Sequence, residues 1–206
     1  MKELFKRCFC NATRKYLLNF FCLLALSFPF YVYGANQHDL EQLIALKKNQ
    51  TIHLDLSNAD LRGYPFISGK INLQQANLSH SNLAGVDLSK MNLGGADLSY
   101  ANLENAKLNQ VNLTNADLTH ANLNGAELQQ SDLSGANLSF ALLTAANLQQ
   151  AVLAKVNLTC ANLNQADLSR SNFADANISG ATFINTITAD IAGYDSVIER
   201  KINCEE

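Results

Sequence analysis

The 206-residue sequence has no tryptophan and only two prolines, Pro29 and Pro65, and charged residues make up just 16% of it. It also lacks the residue groupings that carry chemistry. There is no Gly-rich phosphate loop and no nucleophile motif, and the acids are expected on solvated ladders that give no reason for perturbed pKa values. These absences give enzymatic activity nothing to rest on, and neither a catalytic site nor a cofactor is expected. Cysteine is scarce and not in metal-ligand spacing: Cys8, Cys10 and Cys22 lie near the start, and Cys160 and Cys204 lie far apart. No metal site is expected. Lysine and arginine total 15 against 18 acids. A chain without a basic excess is a poor direct ligand for nucleic acid.

What is present is a five-residue phrase repeated from Ile71 to Asn185. Ala76-Asn77-Leu78-Ser79-His80, Ala96-Asp97-Leu98-Ser99-Tyr100 and Ala161-Asn162-Leu163-Asn164-Gln165 are samples of it. With the central apolar residue as i, the centres run from Leu73 to Phe183. Twenty of these 23 are Leu, the others being Phe173, Ile178 and Phe183. Position i−2 is Ala in fifteen units, and i−1 is Asn or Asp in eighteen. A period of five suits neither a helix nor a lone strand, which need periods of 3.6 and 2. It is satisfied when the chain turns a corner every five residues. Positions i−2 and i then face inward together, four sides close a coil of twenty residues, and coils stack about 4.8 Å apart. A large Leu beside a small Ala fills so narrow an interior without overpacking it.

These units resemble the pentapeptide-repeat family, whose motif is A(D/N)LXX. The resemblance covers residues 54–185 and implies an all-β solenoid, a right-handed quadrilateral β-helix. The sequence predicts about 6.5 coils with short helical caps. A first coil in a different phase holds the centres Leu56, Leu61 and Phe66. The next centre, Leu73, comes seven residues later, so two residues are inserted around Ile67–Lys70. The predicted organisation is a signal peptide or membrane anchor over 1–35, an amphipathic N-terminal helical cap over 36–50, the β-helix over 51–185, and a C-terminal cap or tail over 186–206. In that tail the spacing of Ile187, Ile191, Tyr194, Val197, Ile198 and Ile202 suggests a short helix.

The first 35 residues have the order of an export signal. Lys2, Lys6, Arg7, Arg14 and Lys15 precede an apolar run from Tyr16 to Tyr33, which Gly34 and Ala35 close. Cleavage near Gly34/Ala35 would place the protein in the periplasm or outside the cell. The alternative is an inner-membrane anchor through residues 16–33. Loss of residues 1–34 leaves 10 basic and 17 acidic residues, a formal net charge of −7.

Residues twenty apart stack in columns. Ser79, Ser99, Thr119, Ser139, Thr159 and Ser179 form a hydroxyl column, read as turn residues bonding their own backbone. Lys90, Gln110, Gln130, Gln150 and Arg170 form a second column, read as a ladder of stacked amides. One column differs. His80, Tyr100, His120, Phe140 and Cys160 share the i+2 corner of five successive coils, and Leu142 stands where the motif wants Asn or Asp. An aromatic and apolar strip on a polar rod is either simple stacking or a partner surface. His80 and His120 lie two coils apart, too far to share a zinc. Cys160 and Cys204 could pair in an oxidising compartment.

The main functional expectation is a non-catalytic scaffold, exported from a bacterium, that binds a protein partner through His80, Tyr100, His120, Phe140 and Leu142. A homodimer through the C-terminal end is a further possibility. The resemblance also implies an alternative, a cytoplasmic DNA mimic acting on DNA gyrase. Ile71 to Asn185 holds eight acids and four bases, a thin excess for that role.

Overall fold

The computed structural model describes residues 54–66, 68 and 71–193. The predicted N-terminal segment, the helical cap over 36–50 and the last thirteen residues lie outside the described residues. Apart from the units centred on Phe66 and Leu73, which carry no bridge, every described unit has the same form: a single bridged residue, then a turn. The bridges are all parallel and join residues twenty apart, as in Asn77↔Asp97, Asp97↔Asp117 and Asp117↔Asn137. In the first coil the offset is 22, in Asp55↔Asn77 and Asp60↔Asn82. That is the two-residue insertion expected near Ile67–Lys70.

The motif accounts for all five backbone N–H groups of a unit, as burial requires. In the unit Ala96–Tyr100, the Leu98 N–H donates to Asp117 O at 2.7 Å and the Tyr100 N–H to Thr119 O at 2.9 Å, both in the following coil. The Asp97 N–H reaches back to Ala76 O at 2.9 Å, and the Ala96 N–H closes the preceding turn on Leu93 O at 3.0 Å. The fifth, of Ser99, donates to Asp97 Oδ1 at 2.9 Å. This last bond explains the Asn or Asp at i−1: a short side-chain acceptor two residues back caps the one N–H the ladder leaves over.

Each turn places position i+2 in the left-handed region, at φ between 55° and 70° from Asn58 to Asp190, as type II turns require of their third residue. No Val, Ile or Thr occurs at these positions, because a branched Cβ crowds that conformation. Centres and i−2 residues form one continuous core. Leu78, Leu98, Leu118 and Leu138 are at most 1% exposed, and so are Ala96, Ala116 and Ala136. Serines at i−2 are buried but satisfied: the Ser81, Ser131 and Ser171 hydroxyls donate to the carbonyls of Leu78, Leu128 and Leu168. At the N-terminal end Tyr64 and Phe66 meet edge to face at 4.6 Å and pack against this core with Ile71.

Two expectations need correction. The coil does not stop at Asn185. Ile187 bridges Asp167 and Ala192 bridges Asn172, which adds two sides. Ile187 and Ile191, spaced as if on a helix, instead occupy positions i−1 and i−2 of these last units. Thr186 donates its hydroxyl to Leu163 O at 2.8 Å, so a polar residue at i−2 is accommodated where the motif has degraded. Gly193 ends the described coil over Phe173. A Cβ there would lie 2.7 Å from the Ala174 nitrogen, so its backbone approaches too closely for any side chain. The second correction concerns the hydroxyl column. The O–H groups of Ser79, Thr119, Ser139, Thr159 and Ser179 donate to the i−1 side chain and not to their own backbone, as in Ser79 Oγ to Asn77 Oδ1 at 2.7 Å and Thr159 Oγ1 to Asn157 Oδ1 at 2.6 Å.

Candidate functional site

The expected strip occupies one corner of the coil. Because each of its rings sits at i+2, the left-handed backbone turns the side chain outward at the same place in every coil. The rings stack face to face along the axis. His80 and Tyr100 have centroids 4.9 Å apart at 5°, Tyr100 and His120 4.7 Å at 14°, and His120 and Phe140 5.0 Å at 11°. The step is the coil spacing itself, so the ladder holds the rings in register at near-contact distance. Faces are covered by neighbouring rings and edges meet water. Tyr100 is 53% exposed and Phe140 48%. Leu142, on the side that follows the corner, is 42% exposed. Cys160, the next rung, is half-buried and disulfide-bonded. Cys204, its expected partner, lies outside the described residues.

Leu142 departs from the motif without harm to the fold. With no acceptor at 142, the Thr144 N–H donates to Asn124 Oδ1 of the preceding coil at 2.9 Å. The same substitution serves Glu127, where Gln129 N–H bonds Asn109 Oδ1 at 3.0 Å, and Thr182, where Ile184 N–H bonds Asn164 Oδ1 at 2.8 Å. An Asn at i+1 therefore releases the residue at i−1 of the next coil. The sequence signal was available: Asn109, Asn124 and Asn164 stand in a position mostly held by small residues, hydroxyls or Gln, one coil below Glu127, Leu142 and Thr182, whereas the other two exceptions, Lys107 and Val152, have Ser89 and Ser134 there.

The diagonally opposite corner is polar. Gln110 donates to Gln130 at 3.1 Å and Gln130 to Gln150 at 3.2 Å. Arg170 meets Asp190 at 3.9 Å beside a shallow depression lined by Gln149, Gln150 and Ser169. Among the described residues no group of three or more His, Cys, Asp or Glu is placed to hold a metal ion. Val152 is exposed on a different side from Leu142 and does not extend the strip. Ile184 and Ile187 are 64% and 53% exposed near the C-terminal end. They were not among the expected site residues, because Ile187 had been read as part of a helix.

The sequence profile described as pentapeptide repeats matches this chain in eight copies, over residues 71–110, 96–135, 112–150, 136–173 and 151–187. The chain belongs to the pentapeptide-repeat family. Its four-sided ladder is the right-handed quadrilateral β-helix of that family. Among solved structures, this pentapeptide-repeat chain is similar to QnrB1, a plasmid-mediated fluoroquinolone resistance protein, at 20% identity and TM-score 0.45, covering 57% of this chain and 62% of that one. It thus spans less than two thirds of that structure. It is also similar to Rfr23 from the cyanobacterium Cyanothece 51142, at 26% identity and TM-score 0.35, covering 60% and 68%. A third is HetL of the cyanobacterium Nostoc sp. strain PCC 7120, involved in heterocyst differentiation regulation, at 28% identity and TM-score 0.35, covering 74% and 92%. No curated protein matches the sequence.

Proposed function

We propose that this pentapeptide-repeat protein is an exported, non-catalytic scaffold that holds a protein partner against the corner formed by His80, Tyr100, His120, Phe140 and Leu142. The observation that carries the reading is the ring stack. Four rings in register on a mostly polar surface offer a rigid apolar strip that loses little conformational freedom on docking. The reading accounts for Leu142 as well, since Asn124 has taken over its structural task. Export follows from the basic, apolar and small residues in sequence over 1–35. Removal of that segment leaves Cys204 as the one cysteine able to pair with Cys160, tying the chain end to the rod.

Loss of partner capture by the Tyr100→Ala/Phe140→Ala variant, with unfolding still cooperative, is the expected result. Equal capture by variant and wild type would remove the corner from consideration. Cell fractionation with mass spectrometry of the N-terminus tests export, and a start near Ala35 is expected. A full-length soluble chain in the cytoplasm would overturn export and make a gyrase inhibition assay the next step. A non-reducing peptide map is expected to link Cys160 to Cys204.

A further inference from the structure

The aromatic corner is flanked by charge of one sign. The side leading into it carries Asp97 and Asp117, and the side leading out carries Glu104. Across the four coils from Ala76 to Thr144 these two sides hold no Lys or Arg, and their His residues are the ring residues His80 and His120 of the corner itself. The basic residues at this level, Lys90 and Lys107, stand on the far corner and on a side that does not meet the strip. Asp97 and Asp117 are bridged directly, one coil above the other. Each spends Oδ1 on its own turn, on the Ser99 N–H and on the Thr119 N–H. Neither carboxylate meets a cation among the described residues. Two like charges stacked at ladder spacing repel one another, and a cation set between them would relieve this.

From this placement we infer that the partner surface recognised here is a basic, apolar peptide segment. It would lie along the axis, with an apolar side chain against Tyr100 and Phe140 and Lys or Arg side chains reaching Asp97, Asp117 and Glu104. The strip is three ring steps long, which suits four or five residues of an extended segment at about 3.3 Å per residue. Arginine fits best, because its planar guanidinium can lie against ring edges and bond a carboxylate in a fork. The inference rests on the docking reading above and adds the partner's charge to it.

The test uses the purified full chain and two fluorescein-labelled peptides, one alternating Arg with Leu and the other Glu with Leu. Three variants separate the contributions. Asp97→Asn/Asp117→Asn/Glu104→Gln removes the flanking charge while keeping the Oδ1 acceptors the turns need. Asp87→Asn/Asp132→Asn/Asp167→Asn removes the same charge from the other sides of the coil. Tyr100→Ala/Phe140→Ala removes the rings. The wild type is expected to bind the Arg peptide and not the Glu peptide, more weakly as salt rises. The flanking-charge variant is expected to bind roughly three- to ten-fold more weakly, the size expected for a few exposed charge contacts. The matched-charge variant should stay within about two-fold of wild type. Equal losses in both charge variants would mean attraction to net charge alone and would overturn the inference, as would equal binding of both peptides. Ring removal that leaves Arg-peptide binding unchanged would also overturn the inference. If the ring variant loses a natural partner that the flanking-charge variant retains, the docking reading stands and the basic-segment inference falls. If neither variant loses the partner, both fall.

Discussion

Two corners of the same coils show what the repeat dictates and what it leaves free. The aromatic corner carries His80, Tyr100, His120 and Phe140 at φ of 58°, 58°, 58° and 59°. The opposite corner carries Lys90, Gln110, Gln130 and Gln150 at 62°, 57°, 58° and 59°. The backbone is the same to within a few degrees, yet one corner stacks rings and the other links amides. The ladder bonds, the Leu centres and the i−1 caps set the conformation. The corner side chain then has one steric requirement, an unbranched Cβ, and is otherwise open to selection for function.

The largest effect should come from a change that damages both corners alike. Leu118 is fully buried between Leu98 and Leu138. Leu118→Ala is expected to cost about 2–5 kcal/mol in urea unfolding, through lost burial and the cavity left behind. A cost below 1 kcal/mol would mean the core is not what holds the corners in register. Next come Tyr100→Val and Gln130→Val, which place a branched Cβ in the left-handed region. Each should lose roughly 1–2 kcal/mol. Similar losses at the two positions would support a common backbone requirement, and a much larger loss at Tyr100 would show the rings to be structural.

A smaller effect sharpens the account of Leu142. Asn124→Ala leaves the Thr144 N–H without its acceptor and should cost about 1 kcal/mol. Adding Leu142→Asn should restore most of it, because the usual cap returns. Failure of that rescue in thermal unfolding would contradict the exchange of caps between coils. The smallest effect is acid sensitivity. The Asp60 carboxyl is held below its ordinary range chiefly by the Arg62 guanidinium. For Asp87 the main cause is the hydrogen bond from the Ser89 side chain, then that from the Ser89 N–H. At Asp167 partial burial pushes upward, but bonds from Ser169 and Gln149 outweigh it. A depressed folded-state pKa means stabilisation that is present above about pH 4 and lost as pH falls through the folded value. A modest fall in Tm below that pH is expected, and Asp87→Asn should flatten it. Asp87 and Asp167 lie on the side leading into the amide corner, whereas Asp60 lies in the first coil on the side that follows the aromatic one.

The sequence made the coil legible because its rule is local. A Leu, a small residue and a short acceptor recur every five positions, and each performs one task within its own unit. The aromatic corner was legible for the same reason, since residues twenty apart must stack. The end of the coil was not. From Thr186 onward the motif residues change to Thr, Ile and Gly, and a spacing of four between Ile187 and Ile191 imitates a helix. Continuation there depends on bonds to the coil below, such as Ile187 N–H to Ala166 O at 2.9 Å, and no local pattern announces them. The cap that Asn124 provides for Thr144 escaped notice because it joins residues twenty apart. The hydroxyl column was placed correctly, but its bonding partner was not: backbone and i−1 acceptors both lie within reach, and the ladder has already taken the backbone.

The most direct test of the central claim replaces all four rings with the residue of the opposite corner. The variant is His80→Gln/Tyr100→Gln/His120→Gln/Phe140→Gln, followed by thermal unfolding and by binding of the Arg-containing peptide. The account predicts an unchanged far-ultraviolet circular dichroism spectrum, cooperative unfolding within a few degrees of wild type, and loss of peptide binding. A variant that fails to fold, or one that binds as wild type does, would contradict it.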